Sequence, residues 1–178
     1  MKLKISKIML ESSHIFRAKK DIRYYLNGVC FMPGGRLAAT DWHHLFMGQH
    51  DNELAENAIV SIEKAPHKRY SYAVCDTDSG IVEFFDDSDA RVGLALCQLI
   101  DGRYPDVDRC MPNETNAVDR IRFNAGYLAD VEKCAKLFNP KWQDVTFELN
   151  GNANAAVATV KSPTGETAKI IVMPMRID

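Results

Sequence analysis

YYLNGVCFM (24–32), Pro33-Gly34-Gly35 and RLAATDWHHLFMG (36–48) read together as strand, turn, strand. The flanking runs are rich in β-branched and aromatic residues, and the Pro-Gly-Gly step supplies the backbone angles of a hairpin. An antiparallel pair near the start of the chain sets the expectation for what surrounds it.

Upstream, Ile5, Ile8, Met9, Ser12, Ile15 and Phe16 recur at helical spacing and predict a helix over about 5–18. Downstream, NAIVSIE (57–63), YSYAVCD (70–76), GIVEFFD (80–86) and ARVGLALCQLI (90–100) predict strands. Between them lie turn clusters at 76–80 and 86–89 and a loop, KAPHKRY (64–70), in which Pro66 breaks any helix. DGRYPDVDRCMPNETN (101–116) is a long polar connection and the natural boundary, dividing the chain into 1–112 and 113–178.

DRIRF (119–123) predicts one more strand. Asn124 then caps a second helix at 125–138, with Leu128, Val131, Ala135 and Phe138 as its buried stripe and Asn139-Pro140 as its stop. DVTFELN, AAVATVK and TAKIIVMPM close the chain as strands. About ten strands joined by tight turns, with two helices, make an α+β fold built on antiparallel meanders.

The 178 residues are 46% hydrophobic with a net charge of −2, which suits a folded core and argues against disorder. No apolar run reaches the ~20 residues of a membrane helix. The basic N-terminus lacks a signal peptide's apolar core and cleavage site, so a cytoplasmic location and no membrane partner are expected. Five widely spaced cysteines with no CxxC pair read as buried reduced thiols. Residues 1–23 hold seven basic and two acidic side chains, +5, which leaves −7 for the rest. That asymmetry fits either a face that tolerates an anion or a solvated amphipathic helix.

Chemistry is sparse. Asp41, His43, His44, His50 and Asp51 are the densest group of metal-type residues. Neighbouring residues of a strand point to opposite faces, which keeps His43 and His44 from sharing an ion. There is no GxSxG, GxGxxG or GxxxxGK[ST], and no cysteine beside a base. No catalytic residue, metal or cofactor is expected, and the chain reads as a non-enzyme.

Four strings point further. DIRYYLNGV (21–29) with LAATDWHHL (37–45), LIDGRYPDVDRCMP (99–112), FNAGYLADVEKCAKLF (123–138) and IIVMPMRI (170–177) resemble, in this order, the bacterial DNA polymerase III beta sliding clamp. That resemblance implies a DNA-clamp fold: repeated units of a helix plus antiparallel strands, helices on one face and sheets on the other. It identifies 1–112 with the family's middle domain, its second helix replaced by KAPHKRY. It identifies 113–178 with the C-terminal half of the last domain. The chain would be a shortened member, of the kind a phage or prophage encodes.

The resemblance also implies a hydrophobic pocket for short peptides of DNA polymerase and clamp loader. Carried over by motif, its residues are Arg23 and Leu26, then Thr40, Trp42, His43, His44 and Leu45. Pro105, Arg109 and Cys110 follow, then Ile171, Val172, Met173, Pro174, Met175 and Arg176. The family favours glycine where Trp42 stands and arginine where His44 stands. Methionines and prolines make a sensible peptide site, adaptable and rigid by turns. Lys20, Tyr24 and Tyr25, with Arg17 and Lys19 nearby, are the implied DNA-facing residues, making salt-sensitive, sequence-independent contacts.

Two functions follow. One is a processivity factor that encircles double-stranded DNA as a homo-oligomeric ring; with three half-units per chain, closure takes about four chains. The other is a clamp-mimic peptide-binding module without a ring, which competes for or recruits replication proteins.

Overall fold

A computed structural model of the chain describes residues 1–65, 69–112 and 114–177. The centre of the loop expected at 64–70, with the helix-breaking Pro66, lies outside the described residues, as does Asn113 at the expected boundary.

The first strand, β1 (Lys2–Ser6), precedes helix α1 (Lys7–Phe16). The helix expected from residue 5 therefore starts two residues later. Lys2 and Lys4 face water while Leu3 and Ile5 are buried, a period of two. Ser6 ends the strand and caps the helix, its Oγ accepting from Met9 N at 3.4 Å.

The first hairpin is β2 (Val29–Met32) and β3 (Arg36–Thr40), and β4 (His44–Gln49) follows. Tyr24–Asn27 form a 3₁₀ turn, not the start of a strand. Asn27 holds it: Asp21 N–H donates to Asn27 Oδ1, and Asn27 Nδ2 donates to Asp21 O, both at 3.0 Å. Gly28 must then be glycine, because a Cβ there would stand 2.7 Å from Ile59 Cγ2.

The segment expected as one strand over 36–48 breaks at Asp41–His43. Thr40 Oγ1 accepts from Trp42 N (2.9 Å) and donates to His44 O (2.7 Å). Asp41 Oδ1 accepts from His43 N (2.9 Å) and His44 N (3.0 Å). Side-chain oxygens thus replace the ladder, as Thr and Asp do in turns.

Strands β5 (Ala58–Ile62), β6 (Tyr72–Asp76), β7 (Ile81–Phe85) and β8 (Arg91–Leu99) follow as expected. Helix α2 (Ala125–Phe138) starts at Asn124, whose Oδ1 accepts from Gly126 N at 2.8 Å. Its buried side is Val131, Cys134, Ala135 and Phe138; Leu128 is 39% exposed, and Cys134 fills its place in the stripe. No strand forms at 119–123, although Arg122 O accepts from Met175 N at 2.7 Å. The chain ends with β9 (Thr146–Glu148), β10 (Ala156–Lys161) and β11 (Thr167–Val172).

The eleven strands among the described residues pair antiparallel, in the order β1-β6-β7-β8-β5-β2-β3-β4-β11-β10-β9. α1 packs on β3, β4 and α2, and α2 packs on β10 and β11. One core lies between helices and sheet, with Phe16, Leu37, Phe46, Ala158 and Ile170. A second covers the opposite face, where Ala38, Leu45 and Ile171 meet Tyr104 and Val107. Burial on both faces explains why β2 and β3 are apolar without alternation. Among the described residues, no helix is long and apolar enough to cross a membrane. Cys30, Cys75, Cys97 and Cys134 are buried thiols; Cys110 is exposed.

Candidate functional site

On the face away from the helices lies a cleft of about 450 Å³. Leu45 and Ile171, opposite each other in the β4–β11 pair, form its apolar floor. The Asp41–His43 turn raises Trp42 and His43 as one rim. The opposite wall is the 3₁₀ turn Val107–Cys110 with Pro105 and Asp106 before it, and Met173 closes the end. Three segments far apart in sequence, 40–45, 105–110 and 171–173, thus meet at one apolar hollow with a polar edge, the usual make-up of a ligand site.

Ten of the sixteen residues named for the pocket line this cleft: Thr40, Trp42, His43, His44, Leu45, Pro105, Arg109, Cys110, Ile171 and Met173. Leu26 and Val172 are fully buried. Arg23 sits 5.3 Å from the Trp42 ring centroid, and its guanidinium is tied to both Asp21 oxygens at 3.0 and 2.7 Å. Pro174, Met175 and Arg176 run past the cleft, and Arg176 O accepts from Arg122 Nη1 at 3.3 Å. Asp106 and Val107 line the wall but were not singled out from the sequence. Their signal is Asp106 followed two residues later by an N–H for it to cap: Asp106 Oδ1 accepts from Asp108 N at 3.2 Å, which turns Val107 inward.

Trp42 has a φ of +84°, the left-handed region that glycine enters freely and other residues enter at about 1–2 kcal/mol. Its indole is 56% exposed, so little packing opposes a change. Trp42→Gly is expected to raise stability by about 1 kcal/mol while opening the rim, as read by urea unfolding. A loss of stability would show that the indole and Arg23 hold the turn.

His44 is the most connected polar group of the cleft. Its ring, 3% exposed, lies between two carboxylates: Nδ1 is 2.8 Å from Asp41 Oδ1 and Nε2 is 3.2 Å from Asp130 Oδ2 on α2. Burial alone would lower its pKa; hydrogen bonds and charge from Asp41, then Asp130, overcome this and raise it. For Asp41, burial pushes upward, but donors from the His44 ring and the His44 and His43 backbone bring the carboxyl down to about 2. Phe16 meets the His44 ring edge-on at 4.7 Å, and Tyr127 packs on both His44 and His43. Among the described residues, no group of three His, Cys, Asp or Glu is placed to hold a metal ion.

The five residues named as DNA-facing have different surroundings. Arg17 Nη1 donates to Asn27 O at 2.6 Å and so supports the 3₁₀ turn. Lys20 is exposed. Lys19 borders a groove beside α1 and α2 with Lys64, Asp130 and Lys133. Tyr24 and Tyr25 border a shallow groove with Trp42, Arg103 and Tyr104, and Tyr25 packs on the core of the opposite face.

No family model matches the chain. The Beta sliding clamp of Pseudomonas aeruginosa is 24% identical over 166 residues, covering 80% of this chain and 41% of that protein. The Beta sliding clamp of Escherichia coli K12 is 28% identical over 182 residues, covering 93% and 47%. The solved DNA polymerase III subunit beta of P. aeruginosa superposes with a TM-score of 0.61 at 17% identity, covering 98% of this chain and 67% of that one. A DnaN sliding clamp of Bartonella birtlesii bound to griselimycin gives 0.67 at 16% identity, covering 99% and 66%. The chain spans about half the length of the curated relatives it matches. Its α+β fold is that of the DNA polymerase III beta subunit, and the chain is a clamp-like relative of the beta sliding clamps.

Proposed function

We propose that the chain is a DNA polymerase processivity factor, a non-catalytic ring that slides on double-stranded DNA and docks polymerase and clamp-loader peptides in the cleft of Leu45, Ile171 and Met173. The observation that carries this reading is the cleft itself. It is assembled from the β3–β4 turn, the 105–110 connection and the end of β11, the segments that the resemblance assigns to peptide docking. In this reading residues 1–112 stand for a middle clamp domain and 113–178 for the second half of a last one, joined through the β4–β11 pair. The DNA is cytoplasmic, and contact with it is sequence-independent.

A ring needs copies of the chain to join. β8 offers a place: residues 91–96 pair with β7 on one side, while β5 reaches only 97–99 on the other. Among the described residues no strand covers the second side of 91–95, and Leu94 and Leu96 beside it are 53% and 61% exposed. An open apolar edge of this kind pairs with another strand or aggregates. The partner in this reading is a second copy, because only copies joined edge to edge continue the sheet into a closed ring.

Light scattering and DNA retention test it together. The expected result is an assembly of about four chains that stays on nicked circular DNA in high salt and leaves when the circle is cut. Leu96→Glu is expected to lower the mass and abolish retention. A monomer at every concentration, with no difference between circular and linear DNA, would remove the ring and leave a peptide-binding module.

A further inference from the structure

The bridging histidine carries more than packing. A neutral imidazole has one N–H, so it can donate to one carboxylate and must present a lone pair to the other. His44 has a carboxylate oxygen within hydrogen-bond distance at each ring nitrogen, Asp41 Oδ1 at 2.8 Å and Asp130 Oδ2 at 3.2 Å. Only the doubly protonated ring satisfies both. The two carboxylates belong to different elements, one to the turn that forms the cleft rim and one to α2. We infer that His44 is a proton-operated latch: as imidazolium it fastens α2 to the turn carrying Trp42 and His43, and losing one proton releases that turn.

The surroundings agree. The two carboxylates facing the ring favour its doubly protonated form, a tied state in acid and a looser one in base. From the turn come Asp41, held by three N–H donors including His44's own, and His43, whose ring stacks on Tyr127 at 5.9 Å. From α2 come Asp130, whose other oxygen takes Lys133 Nζ at 2.7 Å, and the Tyr127 ring at 5.0 Å. From α1 comes the uncharged Phe16 ring. Arg23, stacked near Trp42, adds positive charge that reaches Asp41. When the proton leaves, the bond to one carboxylate becomes a repulsion. The Asp130 end is the longer bond, and Lys133 remains to hold Asp130 on its helix. The turn then keeps its own Thr40 and Asp41 hydrogen bonds and the His43–Tyr127 stack but loses its hydrogen-bonded tie to α2. Trp42, 56% exposed on a left-handed residue, is the side chain free to move.

The consequence for ligand binding rests on the peptide reading of the cleft; the latch does not. Trp142 is 74% exposed, so Trp142→Phe leaves Trp42 as the single fluorescent indole. In that background, emission followed from about pH 5 to about pH 9 is expected to show one transition. His44→Arg, which keeps a permanent cation with donors for both carboxylates, is expected to remove it and hold the acid-form signal throughout. His44→Gln is expected to show the released signal throughout, and His43→Asn to keep the transition. A transition that survives His44→Arg, or that His43→Asn abolishes, would overturn the latch.

Should the variants fail to fold, ¹⁵N chemical shifts of the wild-type His44 ring decide. Two protonated nitrogens at about pH 6 are expected, and a single neutral tautomer there would overturn the inference. A fluorescein-labelled C-terminal peptide of a bacterial replicative DNA polymerase then separates the two claims. Affinity that changes several-fold with pH in wild type, but not in His44→Arg, supports both. A transition without peptide binding at any pH upholds the latch and removes the peptide reading.

Discussion

Phe16→Ala is expected to destabilise the fold by about 4 kcal/mol, the cost of emptying an aromatic site in a packed core. Phe16 is the last residue of α1 and is fully buried. Its ring stacks on Phe46 of β4 at 5.8 Å and meets His44 edge-on at 4.7 Å. It therefore joins the helix layer, the sheet and the rear of the cleft. Both ring contacts come from β4, whose backbone is fixed by its ladder with β3 and β11, so the hole cannot collapse without moving an element. For a chain of this length the melting temperature should fall by about 12 °C. Thermal and urea unfolding measure it directly, and a loss below about 1 kcal/mol would mean that α1 is held elsewhere.

His44→Leu comes next in size, and its effect should depend on pH. Leucine fits the buried volume but removes the cation between Asp41 and Asp130, leaving Asp130 only its Lys133 partner, a change of about 3 kcal/mol. The folded-state pKa of His44 is raised above its ordinary 6.5. Its contribution is fully present below that value and is lost as pH rises through the folded one. Asp41 is held at about 2 against an ordinary 3.8, so its contribution is present above 3.8 and is lost as pH falls toward 2. The gap in stability between wild type and His44→Leu should thus be widest between about pH 4 and pH 6.5. It should narrow toward both acid and base. Urea midpoints across that range test the shape, and a gap that stays constant with pH would contradict the paired-cation account.

Much of this fold can be read from the chain because its local signals agree with its tertiary structure. Asn124, the apolar spacing after it and Asn139-Pro140 bound α2 without help from packing. Strands β6, β7 and β8 are joined by Asp-rich turns at 77–80 and 86–90 that close them on their own. Where elements are short, signals overlap. Lys2-Leu3-Lys4-Ile5 alternates as a strand, but Ile5 also lies in register with the helical stripe that follows, and only pairing with β6 decides between them. RLAATDWHHLFMG is apolar at both ends, and the break at Asp41 rests on side-chain oxygens that take over backbone partners. DRIRF has the composition of a strand but, among the described residues, gains a single backbone bond, Met175 N to Arg122 O.

The cleft was legible by a different route. Its lining comes from 40–45, 105–110 and 171–173, and no periodicity links stretches so far apart; only the resemblance placed them together. The same route also named Leu26 and Val172, which are fully buried. Motif position does not say which way a side chain turns. His44 illustrates the limit most clearly. The sequence shows it among Asp41, His43 and His50, whereas its second partner, Asp130, is 86 residues away, brought in by the packing of α2 against the sheet.

The central claim is that the cleft docks a replication peptide, and fluorescence anisotropy tests it most directly. A labelled C-terminal peptide of a bacterial replicative DNA polymerase is titrated with wild-type protein and with Met173→Ala, whose side chain lines the cleft and is 44% exposed. The account predicts saturable binding that weakens about tenfold in the variant, about 1.4 kcal/mol, with an unchanged melting temperature. Absence of saturable binding, or binding that Met173→Ala leaves untouched, would contradict it.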